Sequence, residues 1–384
     1  MKKRLFSLLL VLCMVMSLFV ACGEKKDDDD KDKDGNGTAA KTESVGDVVE
    51  QMGNFKKGSF EMGMDIALTG ETSQKVTASL FGKVDGQNAS LGMTLKGTVE
   101  GVAMDFSVDE LLIVADGIAY INLGGVVDIA KALDEEVAAL FDGVDLKWFA
   151  LPLPDEYTQS TTGTISADAQ KAVMDFFKDL VATGKQDGMK VTFSQASELQ
   201  AAMEVIAVFL ETKAESILNE AMSASSDATI DLNAYAQKLI DYYYDDLVEA
   251  AESMQMTKDD VDELLNQLKA EDLNSYIEDA DTEVELPDSA ELAQTAAEIR
   301  KAKESITDED LAGGSVTIEG SQKGSTYRVS ASVINTDEES AGTVSVYYEV
   351  SEESVSVSAP KDVNSLTDLV EILINFAGSG DLDF

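Results

Sequence analysis

The residues that most often carry out chemistry in proteins are scarce in this chain. Its 384 residues include no His and two Cys, Cys13 and Cys22. Without His, the chain lacks the usual general base near neutral pH and the commonest transition-metal ligand. Gly-x-Ser-x-Gly and the glycine motifs that bind phosphate are also missing from the sequence. The sequence therefore favours a protein without enzymatic activity, cofactor or metal.

Carboxylates are the one abundant reactive group. The chain has 73 Asp+Glu against 29 Lys+Arg and a net charge of -44. A nucleic-acid binder needs a basic face that displaces counterions from phosphates, so this charge excludes that class. Pairs of carboxylates occur at almost every spacing in so acidic a chain, and they indicate no particular reaction.

A calcium-binding pattern occurs near the N-terminus. Asp30, Asp32, Asp34 and Gly35 match the first half of an EF-hand loop. The twelfth position, where a bidentate Glu completes the calcium shell, is Lys41. No helical pattern precedes the loop, so we expect a solvated spacer and keep a calcium site as the alternative.

Three consecutive tyrosines could form an aromatic contact surface. They are Tyr242, Tyr243 and Tyr244, and Asp245 follows them. Tyrosine suits such surfaces because it gives a large amphipathic area at low entropy cost. Tyr243, however, continues a helical stripe of apolar residues, so we expect it to be a core residue with rim residues beside it.

Methionine and phenylalanine recur in the first third of the chain. The candidates for the lining of a hydrophobic ligand cavity are Phe60, Met62, Met64, Met93, Met104 and Phe106. Met adapts to apolar guests of irregular shape. The alternative is a filled core, because hydrophobic periodicity reports burial and cannot report a cavity.

The first 22 residues resemble the signal peptide of bacterial lipoproteins. Basic residues 2–4 precede an apolar run at residues 5–20, which is shorter than the roughly 20 residues of a membrane span. The run ends at Ala21 and Cys22, which resembles a lipobox. The resemblance implies removal of residues 1–21 and attachment of diacylglycerol and palmitate at Cys22. The alternative is an ordinary secretory signal that ends near Cys22.

Residues 22–44 read as an acidic flexible tether that starts at the lipidated Cys. Residues 24–38 contain no aliphatic side chain that could be buried. A flexible chain of this length spans about 25 Å between its ends. We therefore expect the folded part to begin at residue 45.

The hydrophobic period changes twice along the remaining chain. Alternation at residues 60–68, 76–84, 89–95, 102–108 and 111–123 predicts five or six strands, with Asp116-Gly117 as a hairpin turn. The period is helical at residues 165–310, apart from a strand-like patch at 189–193. Ser166 and Thr257 are candidate N-caps there. Alternation returns between residues 316 and 357, and a short helix is expected over residues 365–376.

The order of meander, helices and meander predicts an α+β fold. A sheet with one apolar face has to bury that face. We therefore expect a single domain over residues 45–384, in which one curved antiparallel sheet, a half-barrel, is covered by helices. We also expect an enlarged helical middle region at residues 165–310. Two separate domains are the alternative.

The order of elements resembles the LolA/LppX-type envelope lipoproteins. The local similarity lies in residues 112–122, LIVADGIAYIN, followed by KWFAL at residues 147–151. Residues 348–350 and 355–357 look like the late hairpin of that family. The resemblance implies an open half-barrel that is plugged by helices, with a gap that holds acyl chains or lies empty.

These observations lead to one functional expectation. We expect a non-enzymatic lipoprotein, anchored in the cell membrane by lipid and facing the extracytoplasmic side, that binds or carries a hydrophobic molecule or lipid. The alternative is an interaction or scaffold lipoprotein of the cell envelope, with a filled core, an envelope protein as partner and no small ligand.

Overall fold

A computed structural model provides the structure of the chain. It describes residues 42–68, 74–99, 102–133, 146–154, 166–226, 231–253, 255–270, 287–311, 313–336 and 341–365. Cys22, the predicted signal peptide and Asp30 to Lys41 lie outside the described residues. So does the predicted C-terminal helix beyond Ser365. The division into a tether and a single domain therefore stays a prediction.

Within the described part, eleven strands form one antiparallel sheet. The strands are β1 (Gly58–Leu68), β2 (Gln74–Asp85), β3 (Asn88–Val99), β4 (Val102–Ala115), β5 (Ile118–Asn122), β6 (Trp148–Pro152), β7 (Lys185–Asp187), β8 (Lys190–Phe193), β9 (Gly314–Lys323), β10 (Thr326–Asn335) and β11 (Gly342–Ser351). Their order is β6-β5-β4-β3-β2-β1-β11-β10-β9-β8-β7. Because β1 pairs with β11 along its whole length, the two meanders join into one sheet. The prediction of one antiparallel sheet in an α+β fold is confirmed.

Two local strand predictions are wrong. Residues 102–115 form one long strand, whose register shifts opposite Leu91 and Met93 at a β-bulge. The bulge absorbs the extra residues that made the pattern read as two strands. The late hairpin is also missing, since Val355 and Val357 belong to no strand. Both sides of β11 are already paired, with β1 and with β10.

The turn between β4 and β5 has the predicted sequence and conformation. Asp116 and Gly117 have φ angles of 53° and 78°. A two-residue hairpin of type I′ requires positive φ at both central positions, which Asp-Gly adopts at low cost. The turn thereby fixes the pairing of Ala115 with Ile118.

The helices occupy three parts of the described chain. They are α1 (Val45–Gly53), α2 (Leu123–Leu133), α3 (Ala167–Ala182), α4 (Ala196–Phe209), α5 (Glu215–Ser226), α6 (Leu232–Ser253), α7 (Lys258–Ala270), α8 (Ser289–Glu304) and α9 (Asp308–Leu311). A π-helical turn, Leu210–Ala214, joins α4 to α5. Ser166 caps α3 by accepting a hydrogen bond from the Ala169 backbone N–H, at 3.2 Å. Thr257 accepts in the same way from Asp260 at the start of α7, at 3.3 Å.

The main core lies between helices and the second half of the sheet. Helices α1, α3 and α4 pack against β8 to β11, and the largest fully buried side chains include Phe177, Phe193 and Tyr348. Burial of one such aromatic or branched side chain contributes about 1.5–3 kcal/mol. Helix α1 begins at a capping box, in which Ser44 and Asp47 exchange hydrogen bonds.

The β6 edge of the sheet is closed by polar contacts. Asn364 donates its backbone N–H to the Trp148 carbonyl at 2.7 Å. Tyr243 on α6 donates its hydroxyl to the Ala150 carbonyl. An edge strand with unpaired carbonyls is open to association with another strand, and these contacts occupy two of them. Val357 covers a small second core beside this edge, packed with Ile113 and neighbouring residues.

Candidate functional site

The six Met and Phe candidates share one face of the sheet. Directly paired residues of antiparallel strands lie on the same face, and alternate residues of a strand do so too. Met62 pairs with Leu80, which pairs with Met93. Met64 is joined through Ala78 and Leu95 to Phe106 in the same way. Phe60 and Met104 occupy further rows of that face.

The face is apolar across the three strands β1, β2 and β3. We call this surface the central strip, and it consists of Phe60, Met62, Met64, Val76, Ala78, Leu80, Leu91, Met93 and Leu95. Three adjacent strands span about 10 Å, and the six-residue interval from Val76 to Gly82 spans about 20 Å. The central strip therefore has the dimensions of an elongated apolar molecule.

Helices cover the sheet on both sides of the central strip. On one side α1 contacts β9 and β10, and Val346, Tyr348 and Val350 on β11 are buried. On the other side α2 contacts β4, where Phe106 and Val108 are buried. Gly125 permits this approach, because a Cβ there would lie 2.7 Å from Cγ1 of Val108.

The central strip itself is only partly covered. Eight of its nine side chains are half-buried, and Leu80 is 37% exposed. Phe60 lies against the β2 backbone at Gly82, where a Cβ would be 2.8 Å from the ring. The absence of a side chain at Gly82 thus lets an aromatic ring form part of the surface.

No side chain of the central strip is titratable. The opposite face of the same strands carries charged side chains, among them Glu61, Asp65 and Lys83. Tyr347 donates a 2.5 Å hydrogen bond to Glu61, and the Arg328 guanidinium lies 3.8 Å from the Tyr347 ring centroid. Burial, followed by the hydrogen bond to Glu61, raises the pKa of Tyr347 well above its usual range. The sheet thus separates a neutral apolar face from a polar one, so the central strip suits an uncharged ligand.

The sequence prediction considered only Met and Phe as lining residues and therefore missed the leucines of the central strip. Leu80, the most exposed member, follows the same alternation as Met62 and Met93, and Leu91 and Leu95 do so too. The period-two pattern was sufficient to find them. Phe106, in contrast, is buried on β4, the strand that α2 contacts, and Met104 lies on β4 beside the central strip.

The three consecutive tyrosines differ in burial, as their helical pattern predicts. Tyr243 is 8% exposed and stacks on Phe149, with ring centroids 6.1 Å apart. Burial raises the pKa of Tyr243 well above its usual range. Tyr244 donates a hydrogen bond to Asp262 at 2.6 Å, and Tyr242 is 45% exposed. Tyr243 is therefore a core residue.

A second concave surface lies between α3 and α4. This open groove of about 620 Å³ has Phe176, Val205 and Phe209 along its floor and Asp175 and Glu204 along its rim. The Phe176 and Phe209 ring centroids are 4.3 Å apart. Val208, which also lines the groove, is 44% exposed. The groove therefore combines an apolar floor with a charged rim.

The described residues contain neither a metal-binding cluster nor a helix that could cross a membrane. No group of three or more Asp, Glu, Cys or His side chains there is placed to hold a metal ion. No helix in that part combines the length and the apolar character needed to cross a membrane. The Asp30 to Asp34 pattern and Cys22 lie outside the residues described, so both stay predictions.

Comparison with known protein families, curated proteins and solved structures gives no match to this chain. Function is therefore inferred from the geometry of the central strip and from the sequence.

Proposed function

We propose that this protein is a lipid-anchored extracytoplasmic lipoprotein, non-enzymatic, that binds a hydrophobic molecule on the central strip. In this proposal the sheet is a half-barrel of the LolA/LppX type with an enlarged helical section. The observation that carries the proposal is the partly buried apolar surface of β1, β2 and β3, whose β1 side chains border the main core and whose Leu80 is 37% exposed.

The physical basis is the area that a ligand removes from water. Each apolar Å² removed from water is worth about 25 cal/mol. A monomeric protein exposes few large contiguous apolar patches unless they are binding sites. Leu80 stands at the centre of the central strip, paired with Met62 and Met93.

Binding is tested with Nile red, a neutral apolar dye, and the variant Leu80→Asp. We expect this variant to bind the dye about tenfold more weakly, because contact with one Leu side chain contributes about 1.4 kcal/mol. Ser79→Asp is the matched control, because it adds the same charge to the opposite face of β2. Equal loss of binding in both variants, or no binding to the wild-type protein, would refute the proposal.

The natural ligand is sought by mass spectrometry of small molecules that co-purify with the protein from native membranes. We expect one class of apolar molecule with the wild-type protein and less of it with Leu80→Asp. The anchor is tested by incorporation of labelled palmitate, which should occur in the wild-type protein and stop in Cys22→Ala. Equal labelling of the two proteins would disprove the anchor.

The groove between α3 and α4 supports a second candidate function, a protein-interaction lipoprotein. The supporting observation is Val208, an apolar side chain that is 44% exposed above a floor of Phe176 and Phe209. A photo-crosslinker at position 208 should then capture one dominant envelope protein in cells. The matched control is position 264, because Leu264 on α7 is also exposed. Capture at both positions, or at neither, argues against this function.

A further inference from the structure

The groove between α3 and α4 has the length of a short helix. Its lining residues on α3 extend from position 168 to position 179, which is about 17 Å along the helix axis. Those on α4 and the π-helical turn extend from position 204 to position 213, which is about 14 Å. Both distances correspond to about three helical turns. A third helix can therefore lie along the whole groove.

The floor of the groove offers apolar contacts at helical spacing. Phe176 and Phe209 are buried, and Val208 is 44% exposed. Ala172 and Val205 are half-buried beside them. These side chains recur at steps of three and four residues, as the apolar residues of an amphipathic helix do. A partner helix with apolar side chains at i, i+3, i+4 and i+7 therefore fits this floor.

The α3 rim of the groove carries three carboxylates. Asp168, Asp175 and Asp179 all line the groove from α3. Lys171 forms an ion pair with Asp175, and Asp168 also attracts this lysine. Two of the three carboxylates are therefore partly neutralised by the protein itself.

Asp179 is the carboxylate that is open to a partner. Its neighbour Lys178 is paired with Glu50 on α1, at 3.3 Å. Glu204 on the opposite rim is already held by two basic residues of α8. No basic residue of the described ranges forms an ion pair with Asp179, which is exposed.

The two ends of the groove differ in charge. The Ser166 hydroxyl at the start of α3 donates a 3.0 Å hydrogen bond to Glu220 on α5, which follows α4. The two helices therefore run antiparallel, and Lys213 in the π-helical turn lies toward the Asp168 end. Asp179 lies toward the other end, away from both lysines of the groove.

We infer that this groove binds an amphipathic helix of a partner protein, with apolar side chains on its buried face and a Lys or Arg beside Asp179. The partner is basic because Asp179 needs a counter-charge. The net charge of -44 also attracts basic proteins and repels acidic ones. The inference rests on the second candidate function, the interaction lipoprotein, and adds the chemistry of the partner.

A synthetic peptide tests the groove in the full chain. The probe has about four helical turns, with leucines at i, i+3, i+4 and i+7 and lysines along one flank. Fluorescence anisotropy of the labelled peptide measures the affinity. We expect about tenfold weaker binding to Val208→Gln than to the wild-type protein, because an apolar contact is lost. Leu264→Gln, at an exposed leucine of α7, should leave binding unchanged.

The charge at Asp179 is tested separately. Asp179→Asn should bind the peptide about threefold more weakly at low salt, as expected for an exposed charge pair. The difference should vanish at about 1 M salt, where the Debye length is about 3 Å. Asp245→Asn removes the same charge from an exposed position on α6 and should leave binding unchanged.

Two control peptides separate specific binding from general attraction to an acidic protein. One has glutamates in place of the lysines, and the other has the same residues in scrambled order. We expect at least about tenfold weaker binding of both. Equal binding of either control peptide, or unchanged affinity in Val208→Gln and Asp179→Asn, would overturn the inference. Circular dichroism verifies that the variants remain folded.

The inference and the second candidate function fail in different ways. The partner captured by the photo-crosslinker at position 208 should be crosslinked through an amphipathic segment with Lys or Arg on one flank. One dominant partner crosslinked through a segment without these features leaves the interaction function standing and overturns the inference. Specific peptide binding without a dominant partner in cells refutes the interaction function and supports the inferred chemistry of the groove.

Discussion

Gly63 on β1 gives the sharpest test of the polar side of the sheet. The Tyr347 ring lies directly over it, so that a Cβ at position 63 would be 2.5 Å from Cζ of Tyr347. Ordinary contact distances for a Cβ are 3.4–4 Å. Gly63→Val therefore forces the ring to move by about 1 Å, because overpacking of a tight site displaces the neighbouring side chain. The ring then leaves Glu61 and the Arg328 guanidinium.

The expected cost follows from the contacts that the ring makes. A hydrogen bond to a charged group contributes about 1.5–3 kcal/mol, and a guanidinium stacked on an aromatic ring contributes about 0.5–1 kcal/mol. Against this, a β-branched residue is favoured over Gly in a strand by up to about 1 kcal/mol. We expect Gly63→Val to lower the free energy of unfolding by about 2 kcal/mol.

A double-mutant comparison isolates the ring as the cause. In a Tyr347→Ala background there is no ring to displace, and Gly63→Val should then raise the free energy of unfolding by about 0.5–1 kcal/mol. Urea unfolding of the four proteins, followed by circular dichroism, measures both values. The same sign of effect in the two backgrounds would refute the proposed cause.

Three further predictions concern the helices α3, α6 and α8. Ser166→Ala should lower the free energy of unfolding by about 1 kcal/mol because α3 loses its N-cap, and urea unfolding with Ser356→Ala, at an exposed serine, as control measures this loss. The raised pKa of Tyr243 means that the folded protein retains a proton that the unfolded chain loses near pH 10, so stability should fall as pH rises above 10. Tyr243→Phe should lessen this fall in alkaline melting curves, and an unchanged slope would contradict the assignment. Arg300→Gln, which breaks the contacts of α8 with Glu204 and Glu211, should destabilise the protein slightly at low salt and not at high salt, because exposed ion pairs are screened.

Local chemistry made part of the fold predictable. Alternation of apolar and polar residues identified most strands, because side chains of a strand point to opposite faces in turn. Asp116 and Gly117 identified a turn whose positive φ angles few other residues adopt. Ser166 and Thr257 identified two helix starts, since a hydroxyl there replaces a missing backbone acceptor.

The wrong strand predictions are explained by the pairing of neighbouring strands. Val355 and Val357 alternate with serines as strand residues do, yet a strand needs a neighbour with free backbone groups. β11 had none left, and Val357 instead fills the small core beside Ile113. The bulge opposite Leu91 and Met93 interrupts the alternation in β4, and the sequence did not distinguish a bulge from the end of a strand, because that difference depends on the partner strand.

The sequence by itself determined the charge of the chain and the lack of His-based chemistry. It also determined the alternating apolar faces and the positions of turns and caps. Each of these properties depends on residue type or on near neighbours in the chain. The pairing of β1 with β11, the closure of the β6 edge and the side of the sheet covered by helices depended on residues far apart in the chain. Met62 and Tyr348 show the difference. They alternate alike and pair directly across β1 and β11, yet Tyr348 is buried while Met62 is only half-buried on the central strip. Periodicity gives the face of a side chain, and only packing between distant elements decides whether that face is covered.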